Sequence, residues 1–419
     1  MDMADFYDAL ESRDPAAREH DLFSALPSLI SRAKQASGWS AILKGVDAAA
    51  ITSRSALAHL PVTRKSELKD LQKSALPFGG LTTTATGKLS RIFMSPGPLF
   101  DPEGKGDDWW RYARPLHALG VRSGHLIQNC FAYHFTPAGL MVEGGAIKLG
   151  CPVIPAGIGQ TEMQVQAMSL LKPTVYAGTP SFLKIIIEKA LELGEDISSV
   201  KYALVGAEAL PPSLRSWLIE HGVPHVLQTY GSADIGNIAY ETLSNAQVNP
   251  GMVLDETLIL EIVRPGTGEP VPEGEVGEVV ITSFNPDYPL IRFATGDLSA
   301  VLSGTSPCGR TNTRLKGWMG RADQTTKIRA MFVHPSQVAD ILKRHPQILK
   351  GRLVVSGEMG NDQMTLQCEV ADLTSESNDT DAIIASIRDV TKLRGEVKLV
   401  AAGSLPNDGK VIEDARSYQ

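Results

Sequence analysis

Cysteine is scarce in this chain: four in 419 residues, Cys130, Cys151, Cys308 and Cys368, with no two in a CxxC pair. Such spacing excludes a metal knuckle and a disulfide framework, and a reducing, cytoplasmic setting is expected. No apolar run reaches the roughly 18 residues of a membrane span. The opening MDMADFYDALESRD has no apolar leader core, so neither secretion nor a membrane is expected. Positive charge is also short, with 40 Lys and Arg against 47 Asp and Glu. A net charge of −7 argues against nucleic acid or an anionic lipid surface as the partner. What remains is a globular composition, 43% hydrophobic and 21% charged. The chain is long enough for more than one domain and a large core.

The clearest organisation runs from His125 to Asp234. HLIQNCFAY, CPVIPAG, PTVYAG, VKYALVGA and PHVLQTYG read as strands, and PAGLMVEGGAIKLG, TEMQVQAMSLL, TPSFLKIIIEKALELG and LPPSLRSWLIEHG as the helices between them. In TPSFLKIIIEKALELG, Thr179 suits the N-cap and Pro180 the first turn. Leu183, Ile186, Ile187, Ala190 and Leu191 are expected on one face, and Gly194 ends the helix. This alternation predicts an α/β fold whose parallel sheet is covered on both faces. Ligands then bind at the loops after the strands, which carry Glu208, Tyr230 and Asp234. Beyond Gly251 the pattern turns to alternating strands with Gly/Pro turns, predicting a β-rich subdomain. A change of texture near Gly320 to Asp323 predicts domains at 1–319 and 320–419, the second a small α+β unit.

These segments, in this order, resemble adenylate-forming enzymes, and among them the phenylacetate–CoA ligase family. The resemblance runs from about Leu60 to Arg416. It is carried by YGSADIGNIAYE, PGTGEPVPEGEVGEVVITSF, PLIRFATGDLSAV, GRADQTTKIRAMFVHPSQV and LPNDGKVIEDAR, with TPSFLKIII and LVGAEALPPSLR upstream. It implies a large N-terminal AMP-binding domain and a small mobile C-terminal lid. The implied reaction has two halves. A small-molecule carboxylate attacks the α-phosphorus of ATP, giving an acyl-adenylate and pyrophosphate; a thiol, normally that of coenzyme A, then displaces AMP. The first half needs positive charge, with Mg²⁺, against crowded oxyanions. An adenylating enzyme with an amine or carrier-protein acceptor, and a non-catalytic nucleotide-binding relative, stay open. The resemblance also suggests a homodimer.

Residue by residue, the resemblance implies that Asp297 accepts from both ribose hydroxyls, as two carboxylate oxygens can. Tyr230 would pack on adenine, Gly231 would make room for the acyl group, and Asp234 would hold Mg²⁺. Ala233 stands where a phosphate-binding hydroxyl is usual. Gly206, Ala207 and Glu208 would line the adenine end, Glu208 being alternatively a helix cap. Arg321 would reach ribose or phosphate, Asp323 would be the hinge, and Lys410 would be the catalytic lysine of adenylation. The alternative for Lys410 is a solvated surface charge. Tyr133, His134 and Phe135, together with Phe131, would line an acyl pocket suited to an aromatic acid; His134 reads equally as a core histidine.

Two segments compete for the phosphate loop. TTTATGK (Thr82–Lys88) has the right residues, but the resemblance puts the loop after the strand LSRIF and before the helix DDWWRYARPLHALG. That position holds MSPGPLFDPEGKG, so TTTATGK is expected to be a polar surface loop. Such a loop works through N–H and hydroxyl donors. Pro96 and Pro98 have no N–H, whereas Ser95, Gly97, Gly104, Lys105 and Gly106 remain as donors. Asp101, Glu103, Asp107 and Asp108 bring negative charge towards a triphosphate.

Overall fold

The strands and helices between His125 and Asp234 form a parallel sheet in the computed structural model. The structure describes residues 6–95, 98–264, 267–322, 324, 326–328, 331–333, 335–357, 362–375, 379–406 and 410–416. In chain order the strands that position the site are β1 (Thr63–Arg64), β2 (Arg91–Ser95), β3 (Leu99–Glu103), β4 (Ile127–Asn129), β5 (Val153–Ile154), β6 (Val175–Gly178), β7 (Tyr202–Val205), β8 (His225–Ser232) and β9 (Gly236–Tyr240). Spatially, β5, β4, β6, β7 and β8 lie side by side and parallel. The sheet then continues through antiparallel β9, Met252–Leu254, Arg314–Leu315 and Val301–Leu302. All four residues of β6 are buried, as a strand covered on both faces requires.

Local sequence explains the covering helices. Helix Pro180–Leu193 begins where the Thr179 hydroxyl accepts from the Phe182 N–H at 3.3 Å, and it ends at Gly194 with φ of 69°. Leu183, Ile186, Ile187 and Ala190 are buried, but Leu191, expected on the same face, is 67% exposed. A second correction concerns DDWWRYARPLHALG. Only Ala113–Leu119 is helical, because Asp108 and Arg111 have φ of 51° and 65°, which a right-handed helix cannot accommodate.

The β-rich region forms a second sheet. Its order is β1, Leu290–Ser299, Gly277–Ser283 and Leu258–Val263, with β1 parallel to its neighbour and the rest antiparallel. Arg292 anchors it from the inside. Its guanidinium donates to both Glu261 oxygens at 3.0 Å and to the carbonyls of Ala58, Leu60 and Gly268.

The chain divides into two compact units, Met1–Met319 and Gly320–Gln419. Within the second, strands Ile348–Ser356, Gln363–Val370, Glu396–Ala401 and Ile412–Asp414 make a four-stranded sheet. Its core contains Ile341, Leu353, Val355, Leu366, Ile383 and Ile387. Among the described residues no helix is long and apolar enough to cross a membrane.

Candidate active site

At the carboxyl end of β8 the ladder to β9 is interrupted between Tyr230 and Gly231. A side chain at Gly231 would put its Cβ 2.5 Å from the Gly236 carbonyl oxygen, so the glycine is required by the return strand. Tyr230 reaches across to the second sheet, where its hydroxyl donates to Asp297 Oδ2 at 2.9 Å. Thr295 Oγ1 lies 3.3 Å from the same hydroxyl. The other Asp297 oxygen accepts from Trp318 Nε1 at 3.1 Å. Two residues 67 apart in sequence thus meet at the seam of the two sheets. A carboxylate offers about four acceptor sites, so a group such as Asp297 can take several donors at once.

Beside this pair lies a cluster of charge. Asp234, in the β8–β9 turn, is buried and accepts from Lys65 Nζ at 2.5 Å. Burial works against the Lys65 charge, but Asp234, with Asp101 and Asp297 further off, outweighs it and raises the ammonium above its ordinary range. Asp101, on β3, is 1% exposed and faces Asp234. Among the described residues neither Asp101 oxygen receives a well-formed hydrogen bond, although the Ser95 hydroxyl is nearby. Burial and the Asp234 charge push the Asp101 carboxyl well up, with Lys65 only partly opposing them.

The segment expected as the phosphate loop is a β-hairpin. β2 and β3 pair from Arg91↔Glu103 to Ser95↔Leu99. Met94 N–H donates to the Phe135 carbonyl at 2.9 Å and Phe100 N–H to Gln72 Oε1 at 2.9 Å, which docks the hairpin on both sides. The other three acids are accounted for. Glu103 pairs with Arg91 at 2.5 Å and Asp107 with Lys148 at 3.3 Å, and Asp108 accepts from the N–H groups of Tyr112 and Ala113 at 2.7 and 2.9 Å. Ser95 closes β2, Lys105 is exposed, and Gly97 lies outside the described residues. TTTATGK is a polar loop tied down by Thr83 and Thr84 to Pro286 and Asp287.

Elsewhere the candidate residues divide by role. Tyr133 is half-buried, donating to Glu143 at 2.8 Å and accepting from Asn129 at 2.8 Å. His134 and Phe135 are exposed, so the core-histidine reading of His134 fails. Ala207 has φ of 66°, and Gly206 packs so closely that a Cβ would lie 2.8 Å from Thr229 Oγ1. Glu208 caps a helix, but not the one that follows it. Its Oε1 accepts from Ser181 N–H at 2.7 Å, in the first turn of Pro180–Leu193.

In the Gly320–Gln419 unit, Gln324 Oε1 accepts from the N–H groups of Val411 and Ile412, the latter at 3.0 Å. One side chain therefore ties the Arg321 segment to the Lys410 segment. Lys410 is exposed at the head of Ile412–Asp414, Arg321 is half-buried, and Asp323 lies outside the described residues.

Comparison with known proteins identifies the family. The AMP-binding enzyme family model matches residues 112–285. The phenylacetate–coenzyme A ligase of Thermus thermophilus is 31% identical over 342 residues, spanning 78% of this chain and 75% of the relative. The chain belongs to the phenylacetate–CoA ligase family. The Escherichia coli phenylacetate–coenzyme A ligase is 29% identical over 384 residues, 84% of each chain. Among solved structures, 2-hydroxyisobutyryl-CoA ligase in complex with 2-HIB-AMP and CoA aligns with a TM-score of 0.73 and 23% identity over 97% of this chain and 92% of that one. At that identity the likeness establishes the fold.

Sequence reasoning within this phenylacetate–CoA ligase family member missed Lys65 and Trp318. Neither lies in a motif segment, and their partners stand 169 and 21 residues away. Asp101 had a signal, a carboxylate in a loop meant for phosphate.

Proposed function

We propose that this chain is an AMP-forming acyl- or aryl-CoA ligase. It joins a carboxylic acid to ATP, giving an acyl-adenylate and pyrophosphate, and passes the acyl group to the coenzyme A thiol with release of AMP. The observation that carries the reading is the Tyr230–Asp297 pair at the end of β8, in a chain of this family. Asp297 binds the ribose diol, and the Tyr230 ring covers adenine with the backbone of Gly206 and Ala207. Arg321 and Lys410 supply positive charge to phosphate and carboxylate oxygens. That lowers the cost of bringing one anion to another.

Mg²⁺ supplies charge neutralisation on the polyphosphate when bound. The acidic side chains present fit a hard cation, because Asp234 Oδ1 is buried without a donor among the described residues. Tyr133 and the His134–Phe135 loop form the wall against which a flat, aromatic acid lies. The reading places the enzyme in the cytoplasm as a homodimer, which light scattering tests.

One observation favours a second reading. The hairpin replaces a hydroxyl-rich loop, and Ala233 removes another hydroxyl, as a nucleotide-binding relative without ligase activity would tolerate. The deciding experiment is pyrophosphate release from ATP and Mg²⁺ across aryl and aliphatic acids, with and without coenzyme A. Acid-dependent release supports the ligase, and coenzyme A-dependent AMP release identifies the acceptor. AMP binding without release from any acid leaves the second reading.

A further inference from the structure

Several positions along the β2–β3 hairpin have no N–H to offer an anion. Pro98 and Pro102 carry no N–H. The N–H groups of Met94 and Phe100 are already engaged with Phe135 and Gln72. Yet the hairpin delivers one carboxylate, Asp101, into a buried position opposite a second, Asp234.

That arrangement is short of positive charge. Among the described residues, Lys65 is the ammonium beside the two facing carboxylates, and it bonds Asp234 Oδ2. Among the described residues both oxygens of Asp101 and Oδ1 of Asp234 are buried without a well-formed hydrogen bond, the Ser95 hydroxyl being near Asp101. An uncompensated buried charge is strongly unfavourable. The Tyr288 hydroxyl is also buried, has no hydrogen-bond partner among the described residues, and feels the charges of Asp234 and Asp101. Carboxylate oxygens from two separate segments therefore meet in one buried place, and carboxylates are the ligands that a hard divalent cation prefers.

We propose that Asp101 and Asp234 jointly hold a divalent cation through which the hairpin binds polyphosphate, with the Lys65 ammonium as its built-in competitor. The loop's hydroxyl and amide donors are thereby replaced by a bridging metal. Among the described residues no three His, Cys, Asp or Glu side chains are grouped to hold a metal. The site is accordingly incomplete by protein alone, as Mg²⁺ sites are when one or two carboxylates share the ion with water and substrate phosphates. The polyphosphate part of this inference rests on the ligase reading; the cation site does not.

The test uses the full chain and Mn²⁺ alone, with free Mn²⁺ followed by electron paramagnetic resonance. One Mn²⁺ per chain is expected. Asp101→Asn should weaken binding by at least about tenfold, and Lys65→Met should tighten it by a similar factor. Equal affinity of Asp101→Asn and the parent, or no binding by either the parent or Lys65→Met, overturns the proposal in favour of a carboxyl pair that shares a proton. If Lys65→Met folds poorly, its melting temperature with increasing Mn²⁺ gives the same answer: a rise supports the site, and no rise overturns it. Acid-dependent pyrophosphate release by a chain that binds no Mn²⁺ removes this inference and leaves the ligase. Mn²⁺ binding without pyrophosphate release does the reverse.

Discussion

Arg292 and Asp101 are about equally buried, at 2% and 1% exposure, in the same unit of the protein. Arg292 donates to a carboxylate in a two-pronged pair and to three carbonyls. Asp101 faces another carboxylate and receives no well-formed hydrogen bond among the described residues. The first charge is compensated by its own fold, so it holds two strands and a preceding segment in register. The second is compensated only in part, and that marks a place prepared for something else. Burial alone distinguishes nothing here; the inventory of partners does.

The sharpest break in this comparison is at Arg292. Arg292→Ala should lower unfolding free energy by about 3–5 kcal/mol, because Glu261 is left buried without its cation. Urea denaturation measures it, and a loss under about 1 kcal/mol would refute the architectural role. Lys410 gives the contrasting case of an exposed charge with a proposed chemical role. Lys410→Ala should slow acid-dependent pyrophosphate release by about a hundredfold or more, which is about 2.7 kcal/mol in the barrier, with unfolding unchanged. Adenylation at the parental rate would remove Lys410 from the mechanism.

Asp108 lies between the two extremes. It accepts two backbone N–H bonds, yet burial outweighs them and pushes its carboxyl up to about 6. As pH rises from about 4 to 6, the unfolded chain loses this proton while the folded chain keeps it. Stability should therefore fall by on the order of 2 kcal/mol over that window and level off above it. Asp108→Asn should flatten that part of the melting-temperature profile; an unchanged slope would assign it to other groups. The smallest effect belongs to Asp101→Asn in metal-free buffer near pH 8. Removing one of two facing carboxylates should leave stability unchanged or raise it by about 1 kcal/mol, opposite in sign to Arg292→Ala. A loss of several kcal/mol would show that Asp101 is a structural anchor after all.

Much of the fold was legible in local pattern. The alternation from His125 to Asp234 became the parallel core, and the Thr179, Pro180 and Gly194 signals bounded their helix. Leu191 departed from its expected face, and the helix before Pro115 was cut short by two left-handed residues. MSPGPLFDPEGKG looked like a loop because prolines and glycine conceal strand periodicity, yet it pairs as a hairpin.

Periodicity, caps and turn residues act within a few positions of one another, so the chain's own order was enough to set the strands, the helices and the end of β8. The motif segments were enough to nominate Tyr230, Asp234 and Asp297. Which charges meet is a different kind of fact. Lys65 and Asp234 are 169 residues apart, and Arg18 and Glu256 are 238 apart. Coulombic pairing and desolvation depend on distances that exist only once the sheets have packed. The tertiary structure alone decided that Asp101 would stand buried before Asp234 with one lysine between the demands of both.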